Sequence, residues 1–198
     1  MTEILLSVKP KWVAKILNGE KTIEIRKSIP KCALPATVYI YCTKEDGLIR
    51  LKDYPDRYVC EQEFKLEDYP KMDSGYEGEG KVVAKFTLNR VEEIYDVGDG
   101  VAFNPVTSTM LPKELLEASC LAYHELGEYL NYGYGKTGYA WHIDNLEILK
   151  KPRYLNEGFF QPKKSPDQIF IQTYLKGPQS WCYVLYRKGF NNEQIRRK

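Results

Sequence analysis

Gly19-Glu20-Lys21-Thr22-Ile23-Glu24-Ile25-Arg26-Lys27-Ser28, read GEKTIEIRKS, sets charged side chains inside an alternating apolar pattern. Side chains on a strand alternate between faces, so Ile23 and Ile25 share one face while Thr22, Glu24 and Arg26 share the other. The isoleucines require a core. Glu24 and Arg26 are same-face neighbours within reach of each other, and Lys21 sits at the preceding turn. Two readings are open. The charged face is solvated, and a Glu24–Arg26 pair there contributes little. Or it lines a site, where Lys and Arg hold a phosphate or polarise a carbonyl. In such a site Glu positions a water, takes a proton or accepts from a base amino group.

Working outward, residues 3–8 (EILLSV) read as a short buried strand. Pro10 then suits the first turn of a helix, where its missing N–H costs nothing. In KWVAKILNG, Trp12, Val13, Ile16 and Leu17 form an apolar face, with Lys11 and Lys15 opposite. Gly19 is placed to end that helix, beside Asn18. Further strands are predicted at residues 36–43 (ATVYIYCT) and 81–94 (KVVAKFTLNRVEEI), at YAWHIDNLEIL, and at QSWCYVLYR. One or two helices fill Pro112 to Tyr132, ending at Gly133. Residues 44–79 have weak periodicity and read as an irregular insertion, with at most a short strand around Tyr58–Phe64. The sum is about six strands and three short helices without strand–helix alternation, which argues against a doubly wound sheet and for α+β or a small mixed barrel. One domain over 1–190 with a polar tail at 191–198 is expected.

Charge and thiols narrow the function classes. The 198 residues carry a net charge of +2, too little to argue for nucleic acid globally. The distribution says more: residues 1–31 hold seven Lys/Arg against three Glu, and residues 44–79 hold six against eleven acids. The last twelve hold five basic residues against one Glu. Five widely spaced cysteines without a CxxC pair suit reduced thiols in a cytoplasmic protein. MTEILLSVKPKW has too short an apolar stretch for a signal peptide. No run approaches the about 20 apolar residues of a membrane span.

Several chemistries fall away. With only His124 and His142, no zinc spacing exists beyond Cys120 and His124 at i, i+4 on the predicted helix, so no metal is expected. No nucleophile elbow supports Cys42, Cys182 or either histidine as a covalent catalyst. GYGKTG (Gly133, Gly135, Gly138) lacks the earlier Walker glycine, because Leu130 stands there. Aromatics are abundant, with sixteen Tyr and three Trp. Tyr123, Tyr129, Tyr132, Tyr134, Tyr139 and Trp141 crowd one region, and aromatic faces stack on bases.

LLSVKPKWVAKILNGEKTIEIRKS resembles the opening of ASCH-domain proteins, a branch of the PUA-like superfold. The shared pattern is an apolar strand, a helix ending in Gly, then Gly-x-Lys-x-x-x-x-Arg, here Gly19 to Arg26. The resemblance continues at VYIYCT, GKVVAKFTLNRVEEI, GYAWHIDNLEILKKP and GPQSWCYV, and is nearest to phage- and prophage-associated members. It implies a mainly β, α+β fold: a PUA-like mixed β-barrel with peripheral short helices around a cleft. It implies binding of RNA, single-stranded nucleic acid or a nucleotide, without a cofactor. The site residues are then Lys9, Lys21, Glu24 and Arg26, with Tyr41, Tyr139 and Trp141 for stacking. An alternative implied by the resemblance is hydrolysis of RNA or of N4-acetylcytidine. There Lys21 matches the family's Lys, Glu24 stands at its Thr position, and Glu92 or Glu93 stands for its downstream Glu.

Overall fold

The computed structural model describes residues 1–44, 78–96, 101–103, 108, 110–131, 137–162 and 172–189, and the backbone at 50–51 and 54–58. Most of the 44–79 insertion, the expected Tyr58–Phe64 strand beyond Tyr58, Gly133 and Gly135 of the glycine-rich turn, and the 191–198 tail lie outside the described residues.

The chain opens with β1 (Thr2–Val8), α1 (Pro10–Leu17), β2 (Ile23–Arg26) and β3 (Ala36–Cys42). A backbone pairing of β4 (Arg50–Leu51) with β5 (Tyr54–Tyr58) follows, then β6 (Val82–Leu88), β7 (Val91–Asp96) and β8 (Val101–Phe103). Next come α2 (Pro112–Ser119), α3 (Tyr123–Leu130), β9 (Thr137–His142) and β10 (Asp144–Arg153). Short strands β11 (Phe159–Phe160), β12 (Trp181–Tyr183) and β13 (Leu185–Tyr186) complete the described elements.

A five-stranded sheet has the order β10-β6-β3-β1-β12, and a four-stranded sheet the order β2-β9-β7-β8. Only β1 and β3 run parallel among the pairs of these sheets. With the two-stranded pairings β11–β13 and β4–β5, the described strands make a mostly β molecule of open sheets, not one closed barrel. Two stretches that read as single strands, 81–94 and 139–149, each turn a corner between sheets. They bend at Asn89-Arg90 and at Ile143, side by side. The His142 N–H donates to the Arg90 carbonyl (3.1 Å), and Asn89 Nδ2 donates to Asp144 (3.0 Å). A strand that switches sheets needs such a bend.

β1 is buried on both faces because it lies between two cores. Ile4, Leu6 and Val8 join Val38, Ile40, Phe86 and Leu88 in the main core. Leu5 faces Tyr39, Tyr41, Val82 and Phe159 on the other side. α1 starts on Pro10 and ends as its sequence requires: Gly19 has φ +73°, and the Glu20 and Lys21 N–H groups return to the Lys15 carbonyl. It buries Val13, Ala14, Ile16 and Leu17. Trp12, assigned to that face from spacing, is half-buried at its margin.

Residues 112–131 form two helices, broken at Cys120 (φ +53°) and ended at Asn131 (φ +67°) before Gly133. Each begins with a glutamate accepting from a backbone N–H ahead of it, Glu114 from Leu111 and Glu125 from Ala122, both at 2.8 Å. Cys120 thus terminates α2 while His124 lies in α3, so the two do not share one helical face. Among the described residues no group of three potential metal ligands occurs. None of the described helices is long and apolar enough to cross a membrane.

Candidate nucleic-acid interface

β2 is where the sheets and helices meet. Its register against β9 places Ile23 opposite His142, Glu24 opposite Trp141, Ile25 opposite Ala140 and Arg26 opposite Tyr139. Ile23 and Ile25 pack with Ile94, Leu115, Leu126 and Leu130 beneath α2 and α3. The other face carries Glu24 and Arg26, as alternation dictates. All four residues of the strand are buried. The charged face is therefore not solvated.

Lys21 is 3% exposed, Glu24 6% and Arg26 8%, so their charges must be met locally. Lys21 Nζ donates to the Ser119 carbonyl at 2.7 Å, in the last turn of α2, where the helix dipole favours a cation. It also lies 3.3 Å from Glu24 Oε2 and 5.1 Å from the centroid of the Trp12 ring. Glu24 Oε1 takes Arg26 Nη2 at 2.8 Å. The same Nη2 donates to the Ser7 carbonyl (2.7 Å), and Nη1 reaches Ser180 Oγ at 3.4 Å. Arg26 Nε is buried without a hydrogen-bond partner among the described residues. Two cations around one carboxylate leave the cluster with a surplus positive charge.

These three side chains lie on the wall of a cavity of about 940 Å³. Lys9, Lys27 and Lys44 add positive charge to that wall, and Glu125 and Glu128 negative charge. Among the described residues five cations stand against three carboxylates on it, a surplus of positive charge. Glu125 is held below the ordinary carboxylate range by the Ala122 amide donating into it, against a small opposing desolvation. Among the described residues the aromatic groups on the wall are Trp12 and Tyr129. Burial pushes the Tyr129 phenol above its ordinary value, with Arg26 opposing and Glu24 reinforcing the shift. Lys27 Nζ sits 5.3 Å from the centroid of its ring.

Four of the seven residues singled out from sequence, Lys9, Lys21, Glu24 and Arg26, come together on this wall. Tyr41, Tyr139 and Trp141 do not line it. Trp141 is wholly buried in the main core, with its ring centroid 5.8 Å from that of Trp181, so no face is left for a base. Tyr41 points into the core on the Leu5 side of β1, because it shares β3 parity with Tyr39. Tyr139 packs partly buried against the main core. Trp12 was missed as a site residue because helical spacing counted it as core. Tyr129 stood only among a crowd of aromatics. Neither Glu92 nor Glu93 lines the cavity. Glu92 shares the Ala140 face of its sheet, opposite in parity to Glu24, and is buried against His142 Nε2.

The chain is similar in fold to the crystal structure of ASCH from Zymomonas mobilis, with a TM-score of 0.52 at 16% identity, covering 98% of this chain and 91% of that one. A single-substitution variant of the same Zymomonas mobilis protein is also similar, with a TM-score of 0.44 at 16% identity over 99% and 95% of the two chains. No protein-family model matches the sequence, and no curated relative matches it. The class these observations define is a mostly β fold of the ASCH type with a charged cleft beside its second strand. The likeness is one of fold; nearness to phage-associated members rests on the sequence segments alone.

Proposed function

We propose that the cleft binds a nucleotide unit of single-stranded nucleic acid, RNA foremost. The observation that carries this reading is the guanidinium of Arg26. It is more than nine-tenths buried, on a cavity wall, with an Nε–H that has no acceptor among the described residues. A buried donor without a partner is costly, and a guest phosphate or base carbonyl would relieve it. Glu24 keeps acceptor capacity beyond its two ion pairs, since each carboxylate oxygen offers two sites. Lys9, Lys27 and Lys44 at the exposed rim suit phosphates, and Trp12 and Tyr129 suit base faces.

The test is titration with short single-stranded RNA and DNA at several salt concentrations. Binding should tighten as salt falls, because phosphate contacts release counterions. No binding of any strand at low salt would end the reading. Trp12→Ala should weaken binding by about 1–3 kcal/mol, the measured range for one base–aromatic stack. Unchanged affinity would remove Trp12 from the interface.

A hydrolytic reading draws on the 3.3 Å contact of Lys21 with Glu24, a cation and a proton carrier side by side in the cavity. Incubating wild type and Lys21→Ala with RNA and with N4-acetylcytidine tests it. Both substrates unchanged by the wild type would reject it for those substrates.

A further inference from the structure

β2 is the edge strand of its sheet, and among the described residues no strand lies on its free side. Which of its main-chain groups face that side follows from the ladder. The Ile143 N–H donates to the Thr22 carbonyl at 2.9 Å, so residue 22 is hydrogen-bonded toward β9. Antiparallel pairs alternate between bonded and non-bonded. Glu24 and Arg26 are therefore bonded to Trp141 and Tyr139, while Ile23 and Ile25 turn their N–H and C=O outward. The far side of β9 agrees: the His142 N–H, opposite Ile23, points away to the Arg90 carbonyl.

The two outward residues differ in what they meet. Near Ile23 the edge is closed by α2, whose Ala118 carbonyl accepts from the Thr22 N–H at 2.9 Å and whose Ser119 carbonyl holds Lys21. Ile25 is on the cavity wall. The whole residue is only 3% exposed, and its side chain sits in the core beneath α2 and α3, so the part of it turned toward the cavity is main chain.

We infer that the main-chain N–H and C=O of Ile25 read the Watson–Crick edge of a base lodged in the cleft. This rests on the nucleotide-binding reading above and adds to it a specific recognition contact. One residue's outward N–H and C=O form a donor and an acceptor side by side, facing the same way. A base edge presents the matching pair, as uracil does with O4 and N3–H and guanine with O6 and N1–H. A phosphate presents acceptors alone and would leave the Ile25 carbonyl unmatched. An added peptide strand needs outward groups on alternate residues, and here α2 covers one such position while the strand ends at Arg26.

The experiment compares two single-stranded RNAs of one sequence built only from uridine and guanosine. The second carries N3-methyluridine and N1-methylguanosine throughout. Each methyl replaces the edge N–H without adding charge or changing the phosphates. The methylated strand should bind about tenfold more weakly, the size expected when a buried carbonyl loses its donor. In ¹H–¹⁵N spectra the Ile25 amide should shift on adding the unmodified strand, and shift less on adding the methylated one. Equal affinity for both strands with a stationary Ile25 amide would overturn the inference and leave nucleotide binding standing. Failure of both strands to bind at low salt would overturn both.

Discussion

Glu24→Ala should destabilise the fold by about 3–5 kcal/mol, the cost of removing one partner from a buried ion pair. The substitution strands Lys21 and Arg26 at 3% and 8% exposure. Lys21 keeps its bond to the Ser119 carbonyl and Arg26 its bond to the Ser7 carbonyl, but neither acceptor carries a full charge. For a chain of this size each kcal/mol corresponds to about 2–4 °C in Tm, so thermal unfolding reads the effect directly. A second outcome separates a site from a strut. Inorganic phosphate or a short oligonucleotide should raise the Tm of Glu24→Ala more than that of the wild type, because the guest then meets both uncovered cations. A variant with unchanged Tm would mean that the triad carries no such load.

Trp141→Ala should cost about 3–5 kcal/mol as a core truncation, with loss of binding only in proportion to loss of fold. Trp141 is fully buried beside Trp181 and opposite Glu24 on the neighbouring strand. Its indole Nε1 has no hydrogen-bond partner among the described residues, so Trp141→Phe sacrifices volume and no polar contact. That variant should retain oligonucleotide affinity at temperatures where it is folded. If Trp141→Phe loses affinity while its Tm is unchanged, Trp141 belongs to the interface after all.

The contrast between Trp141 and Trp12 shows what the sequence made legible. Strand alternation in TIEIR placed the isoleucines and the charges on opposite faces, and that is what the structure has, since parity on a strand is a local property. Gly19 ended its helix for an equally local reason, a left-handed residue at the turn. The aromatics were not legible in the same way. Whether a ring faces a cavity or a core depends on what packs over it, which spacing does not contain. Tyr41 went to the core on the Leu5 side of β1 because β1 and β3 are covered on both sides. Trp12 sits at the margin of α1, where the core face gives way to the cavity. The corners were harder to read: their signals are the exposed pair Asn89-Arg90 and the change of apolar parity from Trp141 and Ile143 to Leu146 and Ile148, each inside a stretch of strand composition. The outward turn of the Ile25 main chain, away from β9, needed the sheet order.

The most direct test of an electropositive cleft that takes nucleic acid is the salt dependence of single-stranded RNA binding for two triple variants. One replaces the exposed rim residues Lys9, Lys27 and Lys44 with alanine. The other makes the same change at Lys113, Lys150 and Lys151, which are exposed but lie off the cleft wall. Each phosphate contact contributes about 0.7 to the slope of log affinity against log salt for a single strand, so the rim variant should lose a slope of about 2 and the other variant almost none. Equal slopes for the two variants would contradict the account, because the bound strand would then be held by charge spread over the surface and not by this cleft.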